Sequence, residues 1–297
     1  MSKKFSKPEL SRKINGDIPF DTPKNQQPED NSERLDIALI NFYPRYTRGE
    51  LQKFIKLGHV KVNGEVQTVA STPVTEEDEL LLEVPENDKE KPPVIYEDDN
   101  VIVFNKPAGM LSMKKGAYLP ETSIDDFGDI AHRLDRDTSG VIIAAKNSET
   151  KGFLQKQFQE RHAHKVYYAI VEGEPAQPHA VISVPLTRNL KYPTTFIPDP
   201  DGREAITEYE VLDTKNGLSL IKLKPKTGRT HQLRIHMNFI KCPILGDKVY
   251  NPKGRKAERM FLHAKSLEIT IPGEPNNERK IFDTEVPEEF KKYFENI

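Results

Sequence analysis

The stretch His132-Arg133-Leu134-Asp135-Arg136-Asp137-Thr138-Ser139-Gly140 sets one acid between two arginines. Nearby guanidinium groups favour the ionised form of a carboxylate, and an ionised carboxylate is a nucleophile. Thr138-Ser139-Gly140 has turn chemistry, and Val141-Ile142-Ile143-Ala144-Ala145 reads as a buried strand, so Asp135 is expected at a strand mouth. Seen in isolation, the same aspartate also reads as a surface salt-bridge residue. Two later stretches hold further candidates. Lys165-Val166-Tyr167-Tyr168-Ala169-Ile170-Val171 alternates as a strand, with Tyr167, Ala169 and Val171 on one face and Tyr168 on the other. Gly228-Arg229-Thr230-His231-Gln232-Leu233-Arg234-Ile235-His236 follows the strand Leu218–Leu223. His231 and His236 are five apart, which misses the helical i, i+4 geometry of a zinc pair, and no metal site is expected.

The elements that must position these residues can be read from the rest of the chain. With 297 residues there is room for about two domains and a core that needs no staples. A single cysteine, Cys242, excludes an intrachain disulfide framework and a cysteine-rich zinc site, and points to a reducing cytoplasm. No apolar run approaches the length of a membrane span, and the first residues lack the apolar stretch of a signal peptide. The expectation is a soluble cytoplasmic protein with no membrane contact. The net charge of -2 hides a bias: residues 215 to 265 hold thirteen Lys and Arg against Asp247 and Glu258 alone. Such a segment in an otherwise acidic chain suggests a surface for a polyanion, because neutralising phosphates releases counterions.

Residues 1–31 mix polar residues and proline without a sustained period, and read as a flexible tail. A small domain is expected over 32–86. Leu35, Leu39 and Phe42 mark a helix stopped by Pro44, and Leu51, Phe54 and Ile55 mark a second closed by Gly58. Val60-Lys61-Val62, Asn63-Gly64 and Glu65-Val66 then form a tight hairpin. Arg45, Arg48, Lys53, Lys56 and Lys61 gather along the second helix and its exit. Residues 87–93, charged and proline-rich, read as a linker, and a second domain spans 94–297. It opens with a hairpin of Val94–Tyr96 and Val101–Phe104, which leads into Asn105-Lys106-Pro107-Ala108-Gly109, a rigid turn able to bring Lys106 towards a ligand. Ser148 is expected to cap a helix bearing Phe153, Leu154 and Phe158.

Taken together, the turn at Lys106, the Asp135 stretch, the Tyr167 strand and the Arg229–His236 stretch resemble, in order, the motifs of the RluA-type pseudouridine synthases. The 32–86 segment resembles an S4 RNA-binding domain. The resemblance implies an α+β catalytic domain with a mixed, largely antiparallel sheet. It implies that Asp135 is the catalytic acid, that Tyr167 stacks on the base and reaches the sugar, and that Arg234 pairs with Asp135. Arg229 is the second candidate for that pairing and could instead bind phosphate, while Arg133 occupies space left by a flipped base. Lys106, His231, Arg48, Lys53, Lys56 and Lys61 complete the expected RNA-binding set. Leu111-Ser112-Met113 departs from the common pattern of the family, and the segment before His132 is short.

The activity so implied is isomerisation of chosen uridines in structured RNA to pseudouridine, which changes no oxidation state and needs no cofactor or metal. Large-subunit ribosomal RNA is the first expectation for the substrate and transfer RNA the second, with no obligatory protein partner. The rival readings are a catalytically silent RNA-binding factor in ribosome assembly and an aspartate-nucleophile hydrolase that would release free base.

Overall fold

The computed structural model describes residues 32–44, 46–83, 90–114, 122–274 and 278–295, which group into two compact units. The first is made of Met1–Asp88 and Lys114–Pro120; the second is made of Lys89–Met113 and Glu121–Ile297. The expected tail, the start of the linker and residues 115–121 of the short 110–131 segment lie outside the described residues.

The first unit packs two helices on small sheets. Strand β1 (Glu33–Arg34) leads into helix α1 (Leu35–Phe42) and helix α2 (Arg48–Lys56), followed by β2 (Val60–Val62), β3 (Glu65–Gln67), β4 (Pro73–Val74) and β5 (Leu80–Leu82). A capping box starts α2: Glu50 accepts the Thr47 backbone N–H at 2.6 Å, meeting a donor the first turn leaves unpaired. Asn63 and Gly64 both take positive φ, 53° and 84°, as the tight β2–β3 turn requires. Leu35, Leu39, Leu51, Phe54 and Ile55 close the core against Val60 and Leu80.

In the second unit ten of the described strands form one sheet, ordered β11-β14-β15-β10-β16-β9-β7-β6 with β17 beside β16 and β8 beside β9. In chain order these are β6 (Val94–Glu97), β7 (Val101–Lys106), β8 (Asp129–Ile130), β9 (Ser139–Ala145), β10 (His164–Glu172), β11 (His179–Ser183), β14 (Ile206–Lys215), β15 (Leu218–Pro225), β16 (Leu262–Thr270) and β17 (Arg279–Asp283). A separate hairpin joins β12 (Leu186–Arg188) and β13 (Phe196–Pro198), and the described residues of the unit also form a 3-10 turn at Ile124–Asp126 and three α-helices, α3 (Ser148–Gln159), α4 (Gln232–Phe239) and α5 (Glu288–Lys291). The fold is α+β with a mixed, largely antiparallel sheet; among the described ladders only β16–β9 runs parallel.

The run Val141–Ala145 is apolar throughout because both faces of β9 are covered. Ile142 and Ala144 join the core on one side, while Val141, Ile143 and Ala145 join the core on the other. Gly140 makes the parallel seam possible: its φ is +111°, and a Cβ there would stand 2.2 Å from the Ala264 carbonyl oxygen. Helix α3 is capped one residue earlier than the sequence suggests. Asn147, itself extended, accepts the Thr150 N–H at 2.9 Å, and Ser148 is the first helical residue.

Candidate active site

Asp135 sits in the loop before β9, lining a cleft of about 690 Å³ in the second unit, with its side chain about a quarter exposed (23%). The loop is fastened from several sides. The Lys106 Nζ donates to the carbonyls of Pro107, Met110 and Arg136 at 3.0, 2.8 and 2.9 Å. Gly109 and Arg136 bond reciprocally, Gly109 N–H to the Arg136 carbonyl and Arg136 Nε to the Gly109 carbonyl, each at 2.9 Å. The Ser112 hydroxyl donates to the Leu134 carbonyl at 2.8 Å and accepts the Leu134 N–H at 3.0 Å. His132 stacks on Phe158 of α3, and its Nε2 accepts the Ile143 N–H. Burial, with the nearby Lys165 charge adding to it, pushes the His132 pKa down to about 3, so the ring stays neutral and able to accept.

Lys106 is therefore not an RNA contact. It is fully buried, and its three donors are taken by backbone carbonyls, so the rigid turn points the amine inwards as a brace for the Asp135 loop. Ser112, part of the departure from the family pattern, is a second brace.

Arg234 comes from α4, whose start is tied down by Gln232: its Oε1 accepts from the Thr227 hydroxyl and the Arg229 N–H, and its Nε2 donates to the Ile206 carbonyl. The Arg234 guanidinium gives Nη1 to Asp135 Oδ2 at 3.2 Å and presents Nε and Nη2 to the two oxygens of Asp247 at 2.7 and 2.8 Å. Asp247 also accepts the backbone N–H groups of Val249 and Tyr250. Burial opposes its charge, yet the Arg234 bond and charge and these two N–H groups hold its pKa below the usual carboxylate range. A fork paired with one carboxylate in two places is geometrically fixed, and its third nitrogen, Nη1, is thereby aimed at Asp135.

His231, at the start of α4, takes a left-handed conformation with φ of 57°. Its Nδ1 lies 2.8 Å from the Tyr250 hydroxyl, which also accepts the Phe196 N–H. His231 Nδ1 and the Tyr250 hydroxyl share one proton between them, and Nε2 faces Asp135 Oδ1 at 3.9 Å. Burial lowers the His231 pKa against the pull of Asp135. Tyr250 also lies under the Arg234 guanidinium, 5.0 Å from ring centroid to Cζ. Tyr167 lines the same cleft, and burial, followed by the Asp135 charge, raises its pKa, so the phenol keeps its proton.

The structure thus brings Asp135, Arg234, Tyr167, His231, Arg229 and the exposed Arg133 to one cleft. Asp247 and Tyr250 lie in the run Pro243–Tyr250, to which the sequence assigns no role in the site. The signal for Asp247 was physical: an arginine on an apolar helix face needs a carboxylate, and Asp247 is one of two acids in the whole basic segment. In the first unit Arg48 pairs with buried Asp36 at 3.0 Å and Lys61 with Glu83 at 2.9 Å, so neither is a free cation. Asp36 holds α1 to α2 through Arg48 and Gln52 and also accepts from Arg34 just before α1. Lys53 and Lys56 are exposed on α2, and Arg45 lies outside the described residues.

Comparison with known proteins places these features in a family. Residues 100–239 match the RNA pseudouridylate synthase family, and residues 33–80 match the S4 domain. The chain is 36% identical to ribosomal large subunit pseudouridine synthase D of Borreliella burgdorferi, over 91% of each protein. It is 32% identical to ribosomal large subunit pseudouridine synthase C of Rickettsia bellii, over 90% of this chain and 97% of the relative. Among solved structures, human RNA pseudouridylate synthase domain containing 1 superposes with a TM-score of 0.56 at 26% identity, covering 68% of this chain and 86% of that one. The chain belongs to the RNA pseudouridine synthase family: it is an isomerase acting on RNA, with an S4 domain in its first unit.

Proposed function

We propose that this protein converts specific uridines of large-subunit ribosomal RNA to pseudouridine in the cytoplasm, with Asp135 as the catalytic residue. The observation that carries the reading is the aspartate in the cleft, held by Arg234, which is itself locked by Asp247. The ribosomal target is suggested by the names of relatives that match over nine-tenths of the chain. The first domain spans 32–86, the linker 87–93 and the catalytic domain 94–297.

In the reaction the bond from N1 of uracil to C1′ of the ribose breaks, the base turns, and a bond from C5 to C1′ forms. C5 loses its proton and N1 gains one, so atoms and oxidation state balance with no cofactor. A carboxylate reaches the sugar of a stacked nucleotide only after the base leaves its stack, and exposed Arg133 is available to fill the vacated place. Asp135 then attacks C1′ or stabilises cationic character on the sugar, and the Arg234 bond holds its carboxylate in place for either route. The protonated Tyr167 phenol offers a ring face to the base and a hydroxyl to the sugar.

The test is pseudouridine mapping by chemical labelling of total RNA from cells with and without the protein, rescued by wild type or Asp135→Ala. The expected result is one or more large-subunit sites lost and restored only by wild type. A site restored by Asp135→Ala would remove the aspartate from the chemistry. Loss confined to transfer RNA would move the substrate, and released free uracil would indicate hydrolysis.

A further inference from the structure

One end of the cleft carries a cation that the reaction above does not use. Lys165 lies on β10 two residues before Tyr167, so both side chains leave the same face of the strand, roughly 7 Å apart along it. The Lys165 Nζ stands 5.8 Å from the centroid of the Phe158 ring. It is also 3.5 Å from the point where a side chain at position 228 would begin, and Gly228 has none. The amine therefore borders open space in the cleft, between an aromatic wall and a bare backbone turn.

Its neighbours on that wall already have partners. Arg161 donates to Glu204 at 2.6 Å, Lys226 pairs with Glu208 at 3.0 Å, and Arg229 donates to the Glu204 carbonyl at 2.9 Å. Among the described residues Lys165 has no carboxylate and no hydrogen-bond acceptor, and burial alone lowers its pKa. Withdrawing an ammonium from water without a counter-charge is unfavourable, so such a site is completed by an anion. The carbonyl oxygens of a uracil are neutral acceptors and leave the charge uncompensated. A phosphodiester compensates it.

We infer that Lys165 is a phosphate-binding residue whose ammonium takes the phosphodiester immediately flanking the target uridine, with Gly228 leaving room for the backbone to pass. The inference rests on the cleft being the uridine site. It gives Lys165 a task distinct from that of Tyr167: the tyrosine meets the nucleoside, and the lysine fixes the strand that enters or leaves it.

The experiment measures single-turnover rates on an RNA fragment containing the mapped uridine, with a neutral methylphosphonate replacing either its 5′ or its 3′ phosphate. Wild type should lose about tenfold in kcat/KM at one of the two positions, the usual size for one charge-assisted hydrogen bond. Lys165→Met should show that same loss on the unmodified fragment, and no further loss when the critical methylphosphonate is present. Equal activity of Lys165→Met and wild type overturns the proposal, as does multiplication of the two losses. The wild-type scan needs no variant, so tolerance of both methylphosphonates also overturns it even if Lys165→Met fails to fold.

If wild type modifies no RNA, the functional reading fails separately. The subsite is then judged by acylating the lysines of wild-type protein with an amine-reactive ester. Protection of Lys165 by a ribosomal RNA transcript sustains phosphate binding, and unchanged labelling overturns it.

Discussion

A guanidinium shared between two carboxylates defines the chemistry of this cleft. Asp247 is buried and binds Arg234 in two places, while Asp135 is a quarter exposed and takes one bond. The unequal division means that Arg234 is a fixed part of the protein and only Asp135 is free to meet a substrate. Asp247→Asn keeps the volume but replaces one acceptor by a donor facing the guanidinium, letting Arg234 turn. The expected outcome is a fall of about 100-fold in the single-turnover rate at saturating RNA, the cost of misplacing a catalytic group by about an ångström. RNA affinity should hardly change. A rate within threefold of wild type would show that Asp247 does not position Arg234.

At the scale of elements, the Asp135 loop is clamped between the Lys106 turn, the Ser112 hydroxyl and the stack of His132 on α3. Two buried histidines in this region must be neutral. His132 accepts the Ile143 N–H, and His263 of β16 faces the Ser139 hydroxyl at 2.8 Å. Burial pushes both pKa values from 6.5 down to about 3, helped by Lys165 for His132 and by Arg259 and Lys265 for His263. Between those limits the unfolded chain binds more protons than the folded one, so stability is fully present above about pH 6.5 and is lost as pH falls towards 3. Thermal unfolding from pH 7 to pH 4.5 should show a falling Tm, and His132→Asn should have a shallower slope than wild type. Parallel slopes would mean that His132 takes no part in the acid loss, which then falls to His263 and to carboxylates such as Asp36 and Asp247.

Much of this was legible in the sequence where the signal is local. The paired helices, the Asn63-Gly64 turn and the apolar β9 all follow from periodicity and turn chemistry. The direction of Lys106 was not legible, because a lysine before a proline reads the same whether its amine meets solvent or carbonyls from residue 136. Asp247 was hidden for the same reason: thirteen positions separate it from Arg234, and only the fold of the α4–β16 segment closes that gap.

For the molecule as a whole, a net charge of -2 coexists with a cationic segment and with exposed Lys53 and Lys56 on the first unit. RNA affinity should therefore fall steeply with salt, and each phosphate contact removed should flatten that dependence. Lys53→Ala/Lys56→Ala should weaken binding and reduce the slope of log K against log salt by about 1.4 to 1.8, the release expected for two phosphates. The single-turnover rate at saturating RNA should be unchanged. An unaltered slope in a filter-binding titration would take these lysines out of the RNA contact. Arg48→Ala serves as the contrast: it breaks the pair with Asp36 and should lower stability more than salt dependence.

The parallel seam between β9 and β16 also bears on how the protein matures. Ser139 and His263 meet across a separation of 124 residues, and Gly140 touches Ala264 directly, so one wall of the Asp135 loop is supplied by a strand near the end of the chain. Long-range pairings of this kind form late, after the local hairpins. While the chain emerges from the ribosome, the first unit is able to fold long before residue 264 has been made. A nascent chain can thus acquire a folded S4 domain while the Asp135 loop still lacks the neighbour that fixes it, and that loop takes its final shape only once β16 has been made.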